Sequence, residues 1–126
     1  MEGRWLRNQH PGHRLTRADS RGLRSAGRSV WAYGASTKGN TLLQYFGLDH
    51  TMIDGIAERQ EAKWGLRTVG TDIPITSEDE WRAARPHSTL MLPWHFVTEF
   101  VARERKYLDD GGRFIVPCPR FEVIGG

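Results

Sequence analysis

From Ser29 onward, short apolar runs alternate with stretches of helical spacing. Ser29 to Tyr33 (SVWAY) is apolar, aromatic or β-branched and ends at Gly34, the pattern of a buried strand closed by a turn. Lys38 to Phe46 places Leu42, Leu43, Tyr45 and Phe46 on a short helix face, and Gly47 follows as a stop. Thr51 to Ala57 (TMIDGIA) reads as a second strand, and residues 58–72 as a long connection. Ile73-Pro74-Ile75 is a short extended piece that Pro74 confines to an edge or a non-ladder position. Ser77 and Glu80 have capping-box spacing, so a helix is expected to start there and to end by Pro86. Ser88 to Leu92 (STLML) is the next strand. Phe96 to Leu108 carries apolar residues at 96, 97, 100, 101, 107 and 108, one face of a helix of three to four turns. Arg113 to Val116 and Phe121 to Ile124 complete the pattern as two strands.

Short apolar strands alternating with amphipathic helices predict an α/β fold: a Rossmann-like, mostly parallel sheet with helices on both faces, a three-layer αβα sandwich. The 126 residues suffice for one domain with one core. We expect a boundary between an arm, residues 1–28, and a folded body, residues 29–126.

Charge changes this picture only in the arm. Residues 1–28 hold seven arginines against Glu2 and Asp19, a net of +5, so the rest of the chain, whose total is +3, carries −2. The arm has few large apolar residues to offset the entropy of ordering it, and is expected to be mostly disordered. Nonspecific phosphate binding and an Arg-rich organellar presequence are the two functional alternatives. The near-neutral body makes nucleic acid an unfavoured partner. His10 and His13 are read as solvated rather than metal-bound. No apolar stretch approaches the roughly 18 to 20 residues of a membrane helix. The N-terminus has no apolar signal region. Cys118 is the one cysteine, which excludes an internal disulfide and a Cys-rich zinc site. A cytoplasmic location and no bound metal are the simplest expectations.

In an open parallel sheet, ligands bind beyond the carboxyl ends of the strands. The predicted strand ends give four groups: Gly34 to Thr41, then Glu58 and Arg59, then Trp94 and His95, then Pro117, Cys118 and Pro119. In the first, Gly34 and Gly39 let the backbone approach a ligand, and the start of the following helix offers free N–H groups to an anion. Ser36, Thr37, Asn40 and Thr41 add donors and Lys38 adds a charge. The loop nearly matches a P-loop, but Asn40 stands where that motif has lysine, and STLML offers no acid for magnesium, so an NTPase is not expected. Without a ligand it would be a glycine-rich turn. Glu58 stands where Rossmann domains place an acid on a ribose hydroxyl; it reads equally as a solvated surface residue. His95, between Trp94 and Phe96, is a weak candidate for a general acid or base beside a purely local hydrogen-bonding role. Cys118 lacks an activating cation and reads as structural, and Asp109-Asp110 as a solvated helix end.

Four motifs together, GASTKGNT at 34–41, KWGLRTVGT at 63–71, LPWHF at 92–96 and GGRFIVP at 111–117, resemble the C-terminal domain of nucleotide-sugar (deoxysugar) C-methyltransferases. The resemblance covers about residues 29–124, with residues 1–28 outside it. It implies a domain that binds a nucleotide-sugar substrate within a larger S-adenosylmethionine-dependent enzyme whose zinc and donor-binding domains are separate. Carried over by position, it implies that Gly34, Ser36, Lys38, Gly39, Asn40 and Thr41, and then Trp94, His95 and Phe96, lie near the ligand or a domain interface. The zinc cysteines and a second Rossmann unit are missing here. This chain is therefore expected to be catalytically incomplete: a fragment, one subunit of a split enzyme, or a domain kept for binding. S-adenosylmethionine is implied for the full enzyme and not expected on this chain, and a separate donor-binding chain is a candidate partner. The implied reaction is deprotonation beside a keto group of the sugar and attack of the enolate on the donor methyl. A small self-sufficient methyltransferase and a nucleic-acid module using the basic arm are the alternatives.

Overall fold

The computed structural model describes residues 27–117 and 122–125. Five strands run parallel and a sixth antiparallel, in the order β3-β2-β1-β4-β5-β6. They are β1 (Val30–Tyr33), β2 (Ile56–Glu58), β3 (Ile75–Ser77), β4 (Ser88–Met91), β5 (Arg113–Val116) and β6 (Glu122–Gly125). The helices are α1 (Thr37–Phe46), α2 (Glu78–Ala84), α3 (Val97–Arg103) and α4 (Arg105–Asp109), with single 3-10 turns at Glu61–Lys63 and Trp94–Phe96.

Strand alternation sorts the core into two layers. Val30, Ala32, Ile56, Leu90 and Ile115 point to one face, where Leu43 of α1 packs with Leu48, Met52 and Ile53. Tyr33, Ala57, Met91 and Phe114 point to the other, against Trp81 of α2, Phe100 of α3, and Tyr107 and Leu108 of α4. The sheet thus has helices on both faces, as the alternation of strands and helices predicts.

Local sequence explains the helix ends. Ser36 caps α1 by accepting the Gly39 N–H at 3.0 Å, and Gly47 closes it in the left-handed region at φ 71°. Ser77 caps α2 by accepting the Glu80 N–H at 3.1 Å. Each such cap is worth roughly 1 kcal/mol. Arg85 ends α2 at φ 47°, a left-handed position with an arginine where glycine is preferred.

Three elements differ from the sequence expectation. The second strand pairs regularly only over Ile56–Glu58. Its first half turns instead, because the Asp49 carboxylate accepts the Thr51 N–H and the Asp49 carbonyl accepts those of Met52 and Ile53. The extended piece at 73–75 joins the sheet later, as β3, on the edge where Pro74 is tolerated. The single helix expected over 96–108 is a 3-10 turn and two short helices, broken at Glu104 with φ −106° and ψ 33°. Position 104 lies on the apolar stripe but holds a glutamate. Its buried carboxylate turns onto Arg82, which donates to both oxygens at 3.0 and 2.7 Å. Arg103 donates to the Tyr33 hydroxyl at 2.7 Å and pairs with Glu78. Burial pushes the Glu78 carboxyl up, against the pull of Arg103 and Arg82.

Candidate functional site at the carboxyl edge

The chain leaving β1 crosses one face through α1, and the chain leaving β4 crosses the other through α3 and α4. β1 and β4 are neighbours, so the switch point of this sheet lies between their carboxyl ends. There Gly34 and Pro93 meet. Gly34 has φ 94°, and a Cβ on it would stand 2.8 Å from Pro93 Cδ. Gly39 is similarly tight, with Leu92 side-chain atoms 3.1 Å from where its Cβ would be. Both glycines are explained by packing of the loop against β4.

Glu58 does not stand free at the end of β2. One carboxylate oxygen accepts the Ala35 N–H at 2.8 Å and the other accepts the Gln60 N–H at 2.9 Å. Lys63 Nζ donates to the Ala35 carbonyl at 2.8 Å, so both polar groups of the Ala35 backbone are held from the β2 side. Trp64 Nε1 donates to the Glu58 carbonyl at 2.8 Å.

Asn40 and Thr41 lie within α1 and are engaged in the protein. Asn40 Nδ2 donates to the Val69 carbonyl at 2.7 Å, and its Oδ1 accepts from the Thr71 hydroxyl at 2.7 Å. Thr41 bonds back to the Thr37 carbonyl at 3.0 Å. The Ser36 hydroxyl is spent on its cap. Lys38 is different: it is exposed on the first turn of α1, and its side chain makes no hydrogen bond or ion pair among the described residues. The Thr37 and Lys38 N–H groups are likewise unbonded there. On the β4 side, the Trp94 and His95 rings stack at 3.7 Å with 20° between planes. His95 is exposed and has no side-chain hydrogen bond among the described residues, so none of them orients it as a general base would need.

The structure therefore brings the Gly34 loop, Glu58 and the Trp94–His95 pair to one edge of the sheet. It divides them into groups that build the loop (Gly34, Ser36, Gly39, Asn40, Thr41, Glu58) and groups that face outward (Lys38, Trp94, His95). Pro117, buried after β5, is at the same edge, while Cys118 and Pro119, like the arm through residue 26, lie outside the described residues. The part played by Lys63, Val69 and Thr71 is invisible in the sequence, because each acts on a backbone or side chain about 30 residues away.

Among the described residues, cavities also lie elsewhere. One of about 770 Å³, lined by Arg82, Arg85, Pro86, His87, Tyr107 and Gly112 among others, opens at the amino edge, before β4 and β5. Of the cations that line it, Arg82, Arg103 and Lys106 are already paired, with Glu104, Glu78 and Asp110. The other, about 390 Å³, runs along β3 beside Trp64 and Leu66. No described helix is long and apolar enough to cross a membrane. Among the described residues, no group of three or more His, Cys, Asp or Glu side chains is placed to hold a metal.

The family model of the C-methyltransferase C-terminal domain matches residues 16–119. The match begins inside the Arg-rich stretch, so residues 16–28, expected to lie outside the resemblance, are covered by the family's own sequence pattern. The C-methyltransferase NovU of Streptomyces niveus is 38% identical over 104 residues, 82% of this chain. The aligned region is 25% of that relative, so the chain spans about a quarter of the length of the curated protein it matches. By family match and identity alike, the chain belongs to the C-methyltransferase C-terminal domain family.

Proposed function

We propose that this domain holds the nucleotide-sugar substrate of an S-adenosylmethionine-dependent sugar C-methyltransferase and does not carry out methyl transfer by itself. The observation that carries this reading is the pair of outward-facing features at the switch point. On one side, the free N–H groups of Thr37 and Lys38 and the exposed Lys38 ammonium suit a diphosphate. On the other, the stacked Trp94–His95 rings offer an apolar platform to a sugar or base. Family membership favours the same reaction class.

The methyl donor fits this edge poorly. An adenosyl group in a Rossmann-like crevice needs an acid at the end of β2 for its ribose. Here both oxygens of that acid hold backbone N–H groups. The space that glycines would open is filled by Pro93 and Leu92. These facts support a donor site in another part of the enzyme, in which His95 has a binding rather than a proton-transfer role. A cytoplasmic location is part of the same proposal.

The test is an amide-shift titration by NMR, separately with a thymidine-diphosphate sugar and with S-adenosylmethionine. Saturable shifts at Ala35 to Gly39 and at Trp94 and His95 with the nucleotide-sugar alone are expected. Saturable shifts with the methyl donor at the same residues would replace this reading by a self-sufficient methyltransferase.

A further inference from the structure

The cavity of about 770 Å³ at the amino edge lies at the opposite end of the sheet from the switch point. Its volume is within the roughly 300–1,000 Å³ of small-molecule pockets. The floor is buried and apolar, formed by Pro86, Gly112 and the ring of Tyr107. A Cβ on Gly112 would run into that ring, so the bare glycine lets the tyrosine lie against the start of β5. The Tyr107 hydroxyl is spent inside the protein, on the Pro86 carbonyl and Thr89.

The wall is charged, and its charges pair off with one exception. Arg82 is held by Glu104, Arg103 by Glu78 and Lys106 by Asp110. His87 adds no charge. Arg113 can only donate, so the His87 Nε2, 2.7 Å from its guanidinium, is an acceptor and the ring is neutral. Arg85 remains. Its side chain is exposed and makes no hydrogen bond or ion pair among the described residues. An exposed arginine is ordinary by itself, but this one is held against two backbone preferences. Its φ is 47°, and it precedes Pro86, a position that favours extended backbone. Arg82 already supplies the cation that the last turn of α2 favours, so helix-end electrostatics does not call for a second. A strained residue on the wall of a cavity, with its charge unspent, points to a ligand.

We infer that this amino-edge cavity is a small-molecule site for an organic monocarboxylate with an apolar body, with Arg85 as its anchoring cation. The guanidinium fork fits a carboxylate through two parallel hydrogen bonds. One unmatched positive charge is neutralised by one negative charge. A second charge on the ligand would stand without a partner over an apolar floor. The apolar body lies over Pro86 and Tyr107 and adds burial that an inorganic anion cannot provide. The site does not depend on the nucleotide-sugar reading, because none of its lining residues is at the switch point.

The experiment is an amide-shift titration of the 126-residue chain by NMR, with 2-naphthoate as probe and 2-naphthamide and inorganic phosphate as controls. Saturable shifts with 2-naphthoate are expected at Ala83, Arg85, His87, Tyr107 and Gly112, with none at Ala35 to Gly39. The amide lacks the charge and phosphate lacks the apolar body, so each is expected to bind about tenfold more weakly or worse. Arg85→Gln is expected to lose about tenfold in affinity, and Arg85→Lys to recover part of it. Arg85→Gly relieves the backbone and should fold at least as stably as wild type, yet lose binding as Arg85→Gln does, which separates loss of the ligand from loss of the fold. No saturable shifts with 2-naphthoate, equal affinity for its amide, or full affinity in Arg85→Gln would each overturn the inference. So would shifts confined to Trp64, Leu66 and Val69, since the acid would then be responding to exposed apolar surface and not to this cavity.

Discussion

The carboxylate of Glu58 accepts the backbone N–H of Ala35 at 2.8 Å, tying the end of β2 to the loop that leaves β1. Its second oxygen does the same for Gln60 at 2.9 Å. Hydrogen bonds to a charged acceptor are worth about 1.5–3 kcal/mol each when shielded, less when partly solvated. Glu58 is half-buried, so Glu58→Ala is expected to cost about 1–3 kcal/mol and to speed amide exchange at Ala35 and Gln60. Glu58→Gln keeps an acceptor oxygen and should lose less. Unchanged exchange at both amides in Glu58→Ala would show that the carboxylate is not the brace.

Gly34 tests the packing at the switch point. An alanine there meets two penalties: φ 94° is unfavourable for an L-residue, and its Cβ would stand 2.8 Å from Pro93 Cδ. Together they are expected to cost about 2–4 kcal/mol, read as a fall in Tm of roughly 8–20 °C. Pro93→Ala in the same chain removes the clash but not the backbone strain. The double variant should therefore be more stable than the sum of the two singles. Strict additivity of the two changes would mean that Gly34 and Pro93 do not press on each other.

The fold was legible because its signals are local. Alternating strands, the Ser77–Glu80 cap and Gly47 each announce their element within a few residues. What stayed hidden depends on long-range contacts. A helix stripe with glutamate at its centre reads as continuous until Arg82, 22 residues earlier, is seen to draw Glu104 inward. Glu58 looks like a ribose ligand until the Ala35 N–H, 23 residues earlier, is found on it. The place of the glycine-rich loop, between β1 and α1, is legible from its residues and neighbours. Its division into bracing and outward-facing groups is not legible there, because Ser36, Lys38 and Asn40 are equally polar in sequence.

Arg85 offers a prediction of the opposite sign. It closes α2 at φ 47°, where a side chain costs about 1 kcal/mol and glycine costs nothing sterically. The Arg85 side chain has no hydrogen bond or ion pair among the described residues that a substitution would remove. Arg85→Gly is therefore expected to stabilise the domain, by up to about 0.6 kcal/mol after the roughly 0.4–1 kcal/mol for the added freedom of the unfolded chain is counted. Urea unfolding checks this, and a midpoint lower than wild type would show that the arginine side chain contributes more than its strained backbone costs.

Tyr107 sets the alkaline limit. Trp81 Nε1 donates to the Thr89 hydroxyl at 3.0 Å, Thr89 bonds Tyr107 at 2.9 Å, and the Tyr107 hydroxyl donates to the Pro86 carbonyl at 2.9 Å. The chain needs a neutral phenol. Burial pushes the Tyr107 hydroxyl up to about 12 from an ordinary value of 10.0, although the bond to Thr89 and the backbone and charge of Arg113 pull the other way. Because the folded-state value is raised, the contribution of Tyr107 to stability is fully present below pH 10 and is lost as pH rises toward 12. Tyr107→Phe removes the bonds, so it should be less stable than wild type by about 1–3 kcal/mol at neutral pH. It also removes the titration, so the gap between the two proteins should narrow above pH 10. Urea unfolding at a series of pH values measures that gap. A gap that stays constant through the alkaline range would mean that the phenol ionises as readily in the folded protein as in the unfolded chain, and that the Trp81–Thr89–Tyr107 chain does not hold its proton.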